Sequence, residues 1–544
     1  MTPLLALTSM TALMLTVQQT STFRQVPTTA TRTTLTAVQG AAPTETRLPV
    51  WVYFEELRVA PCEACDTAIT ELAVARRWQR RTLPGVVDIL DMPLPQECVN
   101  AVASTGATVR VQSRWLNAVS ALATPAQITA LKKLSNVTRV EHVRRGRSAM
   151  REENESVTTA SQASFAAADA YGYAATQVDQ IDVRRLHDAG YHGAGIVIGI
   201  LDSGFRRVHQ AFASAEHPLQ VIAEWDFVKN DNNTDIQSGD DSEQHKHGTW
   251  ILGTMAAYLP NQLIGTAYEA RFVLAKTEDV PTETPIEEDF YVAGLEFVEA
   301  HGADIATSSL GYIDWYTQND MNGVTAVTTI AVNIATANGL ICFTAAGNEG
   351  HDSNPATNTL VAPADALQVI SCGAVDNTGA IASFSSDGPT VDGRVKPELL
   401  AMGVSTATVN STNISGISGL SGTSLSTPLL AGAAACILQA RPDFTVNSLR
   451  AALFATASRS DSNGLHPDPL FITGYGIARA FAATQVPPPC PGDLNNSGSV
   501  DSSDIGSMLG EFGICAQCAG DLNYDGTVDA SDLGTLLGHF GSCP

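Results

Sequence analysis

Short continuous runs of apolar residues, separated by stretches of helical periodicity, fill the middle of this chain. Ile196-Val197-Ile198-Gly199-Ile200-Leu201 is apolar throughout, the pattern of a parallel strand buried on both faces. Leu340 to Ala345 and Leu367 to Cys372 repeat it, while Glu288 to Glu299 and Val324 to Ala337 follow helical spacing. Strands alternating with helices predict an α/β domain over residues 171–485. Its sheet is doubly wound and mostly parallel, with functional residues at the carboxyl ends of the strands.

The flanks read differently. Pro3 to Val17 is apolar but shorter than the roughly 20 residues a bilayer span needs, and fits the apolar region of a secretory signal peptide. No other segment reaches spanning length, so no transmembrane span is expected in the mature protein. Residues 1–19 are read as the signal and 20–49 as a Thr-, Gln-, Ala- and Ser-rich linker. Residues 50–145 form a small α+β domain. Val50-Trp51-Val52-Tyr53-Phe54 is a buried strand, Thr124 caps a helix from Pro125 to Leu134, and Val137 to Val140 alternates as a strand. An exposed, protease-sensitive linker covers 146–170, and Val486-Pro487-Pro488-Pro489 is a stiff one. A repeated pair of segments fills 490–544.

Composition narrows the partners. The 544 residues carry 31 Lys and Arg against 56 Asp and Glu, a formal net charge of −25. That excludes the basic face nucleic acid requires, and suits an exported protein with carboxylate sites for cations. Ten Cys are too few for a disulfide-dense scaffold. Cys490, Cys515, Cys518 and Cys543 nevertheless recur at one interval, which reads as one staple per repeat in an oxidising compartment. Cys62 and Cys65 have the spacing of a redox or half-zinc motif, but no second pair lies near enough to complete a zinc site, so they read as a structural pair or inert thiols. Asp226, Asp231, Asp235, Asp240 and Asp241 cluster as a solvated loop.

Three motifs stand at the ends of predicted elements. Leu201-Asp202-Ser203-Gly204 follows the first apolar strand, and His247-Gly248-Thr249 opens the helical pattern Trp250 to Ala257. Gly422-Thr423-Ser424-Leu425-Ser426-Thr427-Pro428 precedes the small-residue helix Leu429 to Leu438. Singly, each is an ordinary turn or cap. Together they supply an acid, a base and a nucleophile, which acyl transfer through serine requires.

Three further stretches join them: Ser308-Ser309-Leu310-Gly311, Phe343-Thr344-Ala345-Ala346-Gly347-Asn348-Glu349-Gly350, and Phe384-Ser385-Ser386-Asp387-Gly388-Pro389 with Asp392 to Glu398. In this order they resemble the subtilisin-like serine proteases. The resemblance implies that Ser424 attacks the scissile carbonyl, that His247 carries the proton, and that Asp202 orients His247. It implies that Asn348 and the Ser424 N–H bind the oxyanion, and that Ser309, Leu310, Gly311, Ala346 and Gly347 hold substrate. It calls for no metal in the chemical step. Leu425 departs from the family, where Met is frequent. The alternative is a catalytically silent surface or scaffold-binding protein on the same fold.

The segment 50–145, ending Val140-Glu141-His142-Val143, resembles the inhibitor-like propeptide of that family. This implies a chaperone and temporary inhibitor removed by self-cleavage within 144–172; a permanent domain is the alternative. In the tail, Asp493, Asn495, Ser497, Asp501 and Asp504 place oxygens at positions 1, 3, 5, 9 and 12 of a calcium loop, with Gly at 6. Asp521, Asn523, Asp525, Asp529 and Asp532 repeat it. With Asp at position 12, the pair resembles dockerin type I domains. That implies a small all-α, EF-hand-like domain folded by Ca2+, the only cofactor expected, with a cohesin-like partner; the recurring cysteines add the disulfides Cys490–Cys515 and Cys518–Cys543. The whole is expected to be a secreted or cell-surface monomer acting on protein or peptide substrates.

Overall fold

The structure, a computed structural model, describes residues 46–59, 67–83, 85–143, 169–280, 287–313, 315–461, 464–487, 490–494, 499–514, 518–523 and 527–542. The signal peptide, most of both long linkers, and Cys62, Cys65, Asn495, Ser497, Cys515, Asp525 and Cys543 lie outside them.

The N-terminal domain is an antiparallel sheet ordered β2-β3-β1-β4, from β1 (Leu48–Phe54), β2 (Thr108–Ser113), β3 (Ala118–Ala123) and β4 (Val137–His142). Its helices are α1 (Glu71–Arg80), α2 (Gln96–Ser104) and α3 (Pro125–Leu131). Val50, Val52 and Phe54 pack into the domain's own core, while Trp51 and Tyr53 pack against the larger domain. The apolar run of β1 is continuous because both its faces are covered. α3 opens where expected: Thr124 accepts the Gln127 N–H and Gln127 caps back, but the helix stops at Leu131.

The larger domain is a seven-stranded sheet with order β11-β10-β9-β8-β5-β7-β6 and every pair parallel. The strands are β5 (Val197–Asp202), β6 (Gln220–Asp226), β7 (Arg271–Lys276), β8 (Ile305–Ser308), β9 (Ile341–Ala345), β10 (Ile370–Val375) and β11 (Leu399–Met402). Ile198 and Ile200 face one layer, with α4 (Lys246–Ala256) and α7 (Thr423–Ala440). Val197 and Leu201 face the other, with α5 (Glu287–Ala300) and α6 (Val327–Ala337). α6 begins later than its periodicity suggests, because Asn322 Oδ1 takes the Val324 and Thr325 N–H groups into a turn. From β5 the chain crosses to the edge strand β6, returns to β7, and then passes to β8 on the other side of β5, from where it moves outward to β11. A crevice therefore opens at the carboxyl ends of β5 and β8.

Three expectations need correction. α7, with 18 residues, is long and apolar enough to cross a membrane by composition, yet 89 % of it is buried in this domain. The 226–241 segment is not simply solvated: Asp226 is fully buried and pairs with buried Lys276 at 2.8 Å, and Asp240 pairs with Lys276 at 3.2 Å and with Lys229. The tail is not purely helical. Besides α8 (Ser502–Gly510) and α9 (Ala530–Gly538) it has two short antiparallel ladders. β12 (Ser499–Val500) pairs with β15 (Gly541–Ser542), and β13 (Gly513–Ile514) with β14 (Thr527–Val528), so each loop exit pairs with the end of the other repeat. Cys490 and Cys518 are each disulfide-bonded. Cys98, Cys342, Cys372 and Cys436 are buried free thiols, and burial pushes the last three up in pKa.

Candidate active site

β5 ends on Asp202, fully buried. Its Oδ1 accepts the Ser203 N–H at 2.7 Å. His247 stands in the first turn of α4, which begins ahead of the apolar pattern that opens at Trp250. Its Nδ1 lies 2.8 Å from Asp202 Oδ1 and 3.0 Å from Oδ2. Gly248 lets α4 come this close. A Cβ there would sit 2.3 Å from the Gly204 carbonyl oxygen and 3.1 Å from Asp202 Cβ. Any larger residue would force α4 away from Asp202.

α7 starts at Thr423, well before the apolar run, so Ser424 is its second residue and its N–H is one of the helix's orphan donors. Pro428 lies inside the helix. It has no N–H to give the Ser424 carbonyl four residues back. Ser309 supplies the missing donor: its hydroxyl donates to Ser424 O at 2.8 Å. The Ser424 hydroxyl in turn donates to Ser309 O, at a long 3.5 Å. The Ser309 hydroxyl thus holds the serine's backbone, a contact that the sequence reading of Ser309 did not include. A Pro four residues after a candidate nucleophile is a signal that could have flagged this.

Asn348 follows β9 and is nearly buried. Its Oδ1 accepts the Thr423 N–H at 2.9 Å and lies 3.0 Å from the Thr423 hydroxyl. That fixes the amide so that Nδ2, the donor end, is turned away from Thr423. Ser386, in the stretch before the serine, braces the same turn: its N–H donates to Gly347 O at 3.0 Å and its Oγ accepts the Glu349 N–H at 3.1 Å. Thr423 and Ser386 were not singled out from the sequence. Replacing Thr423 by valine is expected to lower turnover about tenfold with KM little changed, the cost of one ordinary hydrogen bond. Steady-state kinetics on a peptide substrate check this.

The remaining expected substrate contacts divide. The strand at 308–311 ends at Ser308, and residues 309–311 run on past the sheet beside Ser424. The Leu310 and Ala346 side chains belong to the core, and Ala346 spends its N–H on Cys372 O and its carbonyl on the Val361 N–H. Gly347 lines the turn before Asn348 at φ 124°.

A carboxylate-oriented imidazole, a serine at a helix N-terminus and a fixed carboxamide, all at one sheet edge, are the parts that serine-based acyl transfer needs. The comparisons with known proteins agree on the class. The profile of the Subtilase family matches residues 193–476, and that of the Peptidase S8 propeptide domain, Bacteroidota, matches 49–160. Subtilisin E of Bacillus subtilis (strain 168) is 30 % identical over 392 residues, 71 % of this chain and 85 % of the relative. Subtilisin of Bacillus pumilus is 32 % identical over 312 residues, 57 % of this chain and 98 % of the relative. Among solved structures, fervidolysin from Fervidobacterium pennivorans, described as a keratinolytic enzyme related to subtilisin, superposes with a TM-score of 0.57 at 20 % identity. That match covers 83 % of this chain and spans 63 % of fervidolysin's length, and it shows the fold.

The protein is a serine endopeptidase with a subtilisin fold. It belongs to the subtilase family and carries an N-terminal S8 propeptide domain.

Proposed function

We propose that this is a secreted endopeptidase that cleaves protein or peptide substrates through Ser424, His247 and Asp202, and whose C-terminal repeats form a calcium-folded docking module. The observation that carries the first half is the buried Asp202–His247 pair at 2.8 Å beside a helix that begins with Thr423 and Ser424. In this reading His247 takes the Ser424 proton and later hands it to the leaving amine. Asp202 steadies the imidazolium, and Asn348 Nδ2 with the Ser424 N–H receives the oxyanion. A fluorophosphonate probe labels only an activated serine. It is expected to label this chain at Ser424 and to leave Ser424→Ala unlabelled; an unlabelled parent would favour a silent scaffold instead.

Around this core the chain divides as signal 1–19, linker 20–49, propeptide 50–145, linker 146–170, catalytic domain 171–485, linker 486–489 and tail 490–544. The propeptide assists folding, blocks the site, and is cut off by the enzyme itself within 144–172.

For the tail, the support is two buried carboxylates at loop position 12. Asp504 and Asp532 are fully buried. Asp504 accepts the Leu494 and Asp501 N–H groups at 2.9 Å, and Asp532 those of Leu522, Asn523 and Asp529 at 2.8 to 3.1 Å, which closes each loop on itself. The donor set is all oxygen and acidic, suited to Ca2+. Asp493, Asn495, Ser497, Asp501 and Asp504 would hold one ion, and Asp521, Asn523, Asp525, Asp529 and Asp532 the other. The ions would neutralise clustered carboxylates and supply the stability that a core as small as Val500, Met508, Val528 and Leu536 cannot. Leu509 and Leu537, both half exposed, would face a cohesin-like partner. Calorimetric titration of the whole chain is expected to show calcium binding that the double variant Asp504→Asn, Asp532→Asn lacks. Equal heats from both proteins would remove the module, and the docking reading with it.

A further inference from the structure

The last four carbonyls of a helix have no partner inside it. At the ends of α5 and α6 the N-terminal domain provides partners. The Thr70 N–H and hydroxyl both donate to Ala300 O, the last residue of α5, at 2.8 Å. The Thr82 N–H and hydroxyl donate to Ala337 O, the last residue of α6, at 3.0 and 3.2 Å. Between these two contacts α1 lies across both helix ends.

α1 is inverted relative to an ordinary surface helix. Trp78 is 75 % exposed, whereas Arg76, Arg77 and Arg80 are buried. Arg77 forks onto two carboxylates at once: Glu299 at 2.8 and 2.9 Å, and Asp91 of its own domain at 2.7 and 2.8 Å. Arg76 pairs with Glu299 and donates to Ala303 O at 2.7 Å. Arg80 pairs with Asp304 and donates to Phe444 O at 2.9 Å. Burial alone would raise the Glu299 carboxyl, but Arg76 and Arg77 hold it down to about 2. At Gly339 the approach is so close that a Cβ would lie 2.7 Å from the Arg80 carbonyl carbon.

This arm belongs to the larger domain in its contacts. Among the described residues from 70 to 91 none joins the N-terminal domain's own core, and Leu90 packs against the core of the larger one. It is also far from the chemistry. α5 and α6 lead into the starts of β8 and β9, so their C-termini sit at the opposite edge of the sheet from Asp202 and Ser309.

We propose that the C-terminal ends of α5 and α6, with Glu299 and Asp304, form a docking site for an arginine-bearing helix, occupied by residues 70–82 of this chain, and that this arm slows release of the propeptide once the two domains are cut apart. The inference rests on the propeptide being severed from the enzyme, so its test supplies the cut independently. In the Ser424→Ala chain, a recognition sequence for an unrelated site-specific protease is placed between residues 144 and 168. After cutting, propeptide release is followed by size-exclusion chromatography over time.

The cut parent is expected to co-elute even in 1 M salt (about 3 Å Debye length), because buried pairs are weakly screened. Arg77→Met, which leaves buried Asp91 without its cation and takes from Glu299 one of its arginine partners, is expected to release at least about 30-fold faster. Trp78→Ala, on the outer face, should release at the parent rate. Should Arg77→Met fail to accumulate, Arg80→Gln serves in its place, with at least about tenfold faster release. Release of either arginine variant at the parent rate, or immediate separation of the cut parent, overturns the proposal. A chain that never cleaves itself would count against self-processing alone and leave this measurement unaffected.

Discussion

Ser424→Ala is expected to lower turnover by about 10⁶-fold, the size of loss found for the nucleophile of subtilisin, and to leave a residual rate from substrate binding and the oxyanion donors. The fold should survive. Ser424 is buried, but its hydroxyl makes only the long 3.5 Å bond to Ser309 O among the described residues, so deleting it leaves no strong donor or acceptor stranded. Thr423 keeps its N–H and hydroxyl on Asn348, so the oxyanion side of the site should remain assembled. The same substitution tests maturation. If the enzyme cuts its own linker, the variant should carry residues 50–145 still attached, and mass spectrometry of the purified protein reads this directly. A fully processed variant would mean that another protease does the cutting.

The sheet was legible because parallel strands buried on both faces leave uninterrupted apolar runs, and Ile196 to Leu201 is such a run. The ends of elements were less legible. The apolar patterns open at Trp250 and Leu429, whereas the helices begin at Lys246 and Thr423, so that His247 and Ser424 stand inside the first turn. Glycine next to His247 and proline four residues after Ser424 read locally as helix breakers. Their reasons are tertiary: Gly248 makes room for Gly204 and Asp202, and Pro428 is tolerated because Ser309 serves the carbonyl it abandons. The arm was not legible at all. Glu71 to Arg80 is rich in arginine, and an arginine face ordinarily means solvent. Here it is buried because the opposing surface offers carboxylates and helix-end carbonyls, which pattern along one segment cannot reveal. Asp226 is similar: a carboxylate in an acidic stretch reads as exposed, until Lys276 from a neighbouring strand pairs with it.

Asp202→Asn should cost about 10⁴-fold in turnover while changing KM little, the scale known for the equivalent change in serine proteases. The substitution preserves shape, so packing at the end of β5 should hold, and the Ser203 N–H can still reach the retained oxygen at 2.7 Å. Two things change. The amide carries no charge, so the imidazolium formed when His247 accepts the Ser424 proton loses its counter-ion in a site with almost no solvent, where such attraction is strongest. The amide also presents an N–H₂ group where Oδ2 stood 3.0 Å from Nδ1, a donor facing an atom that must itself donate. Both losses fall on the transition state, so kcat and kcat/KM should drop together. An Asp202→Asn enzyme within tenfold of the parent would mean that Asp202 only packs, and would return the Asp202–His247 contact to a structural role.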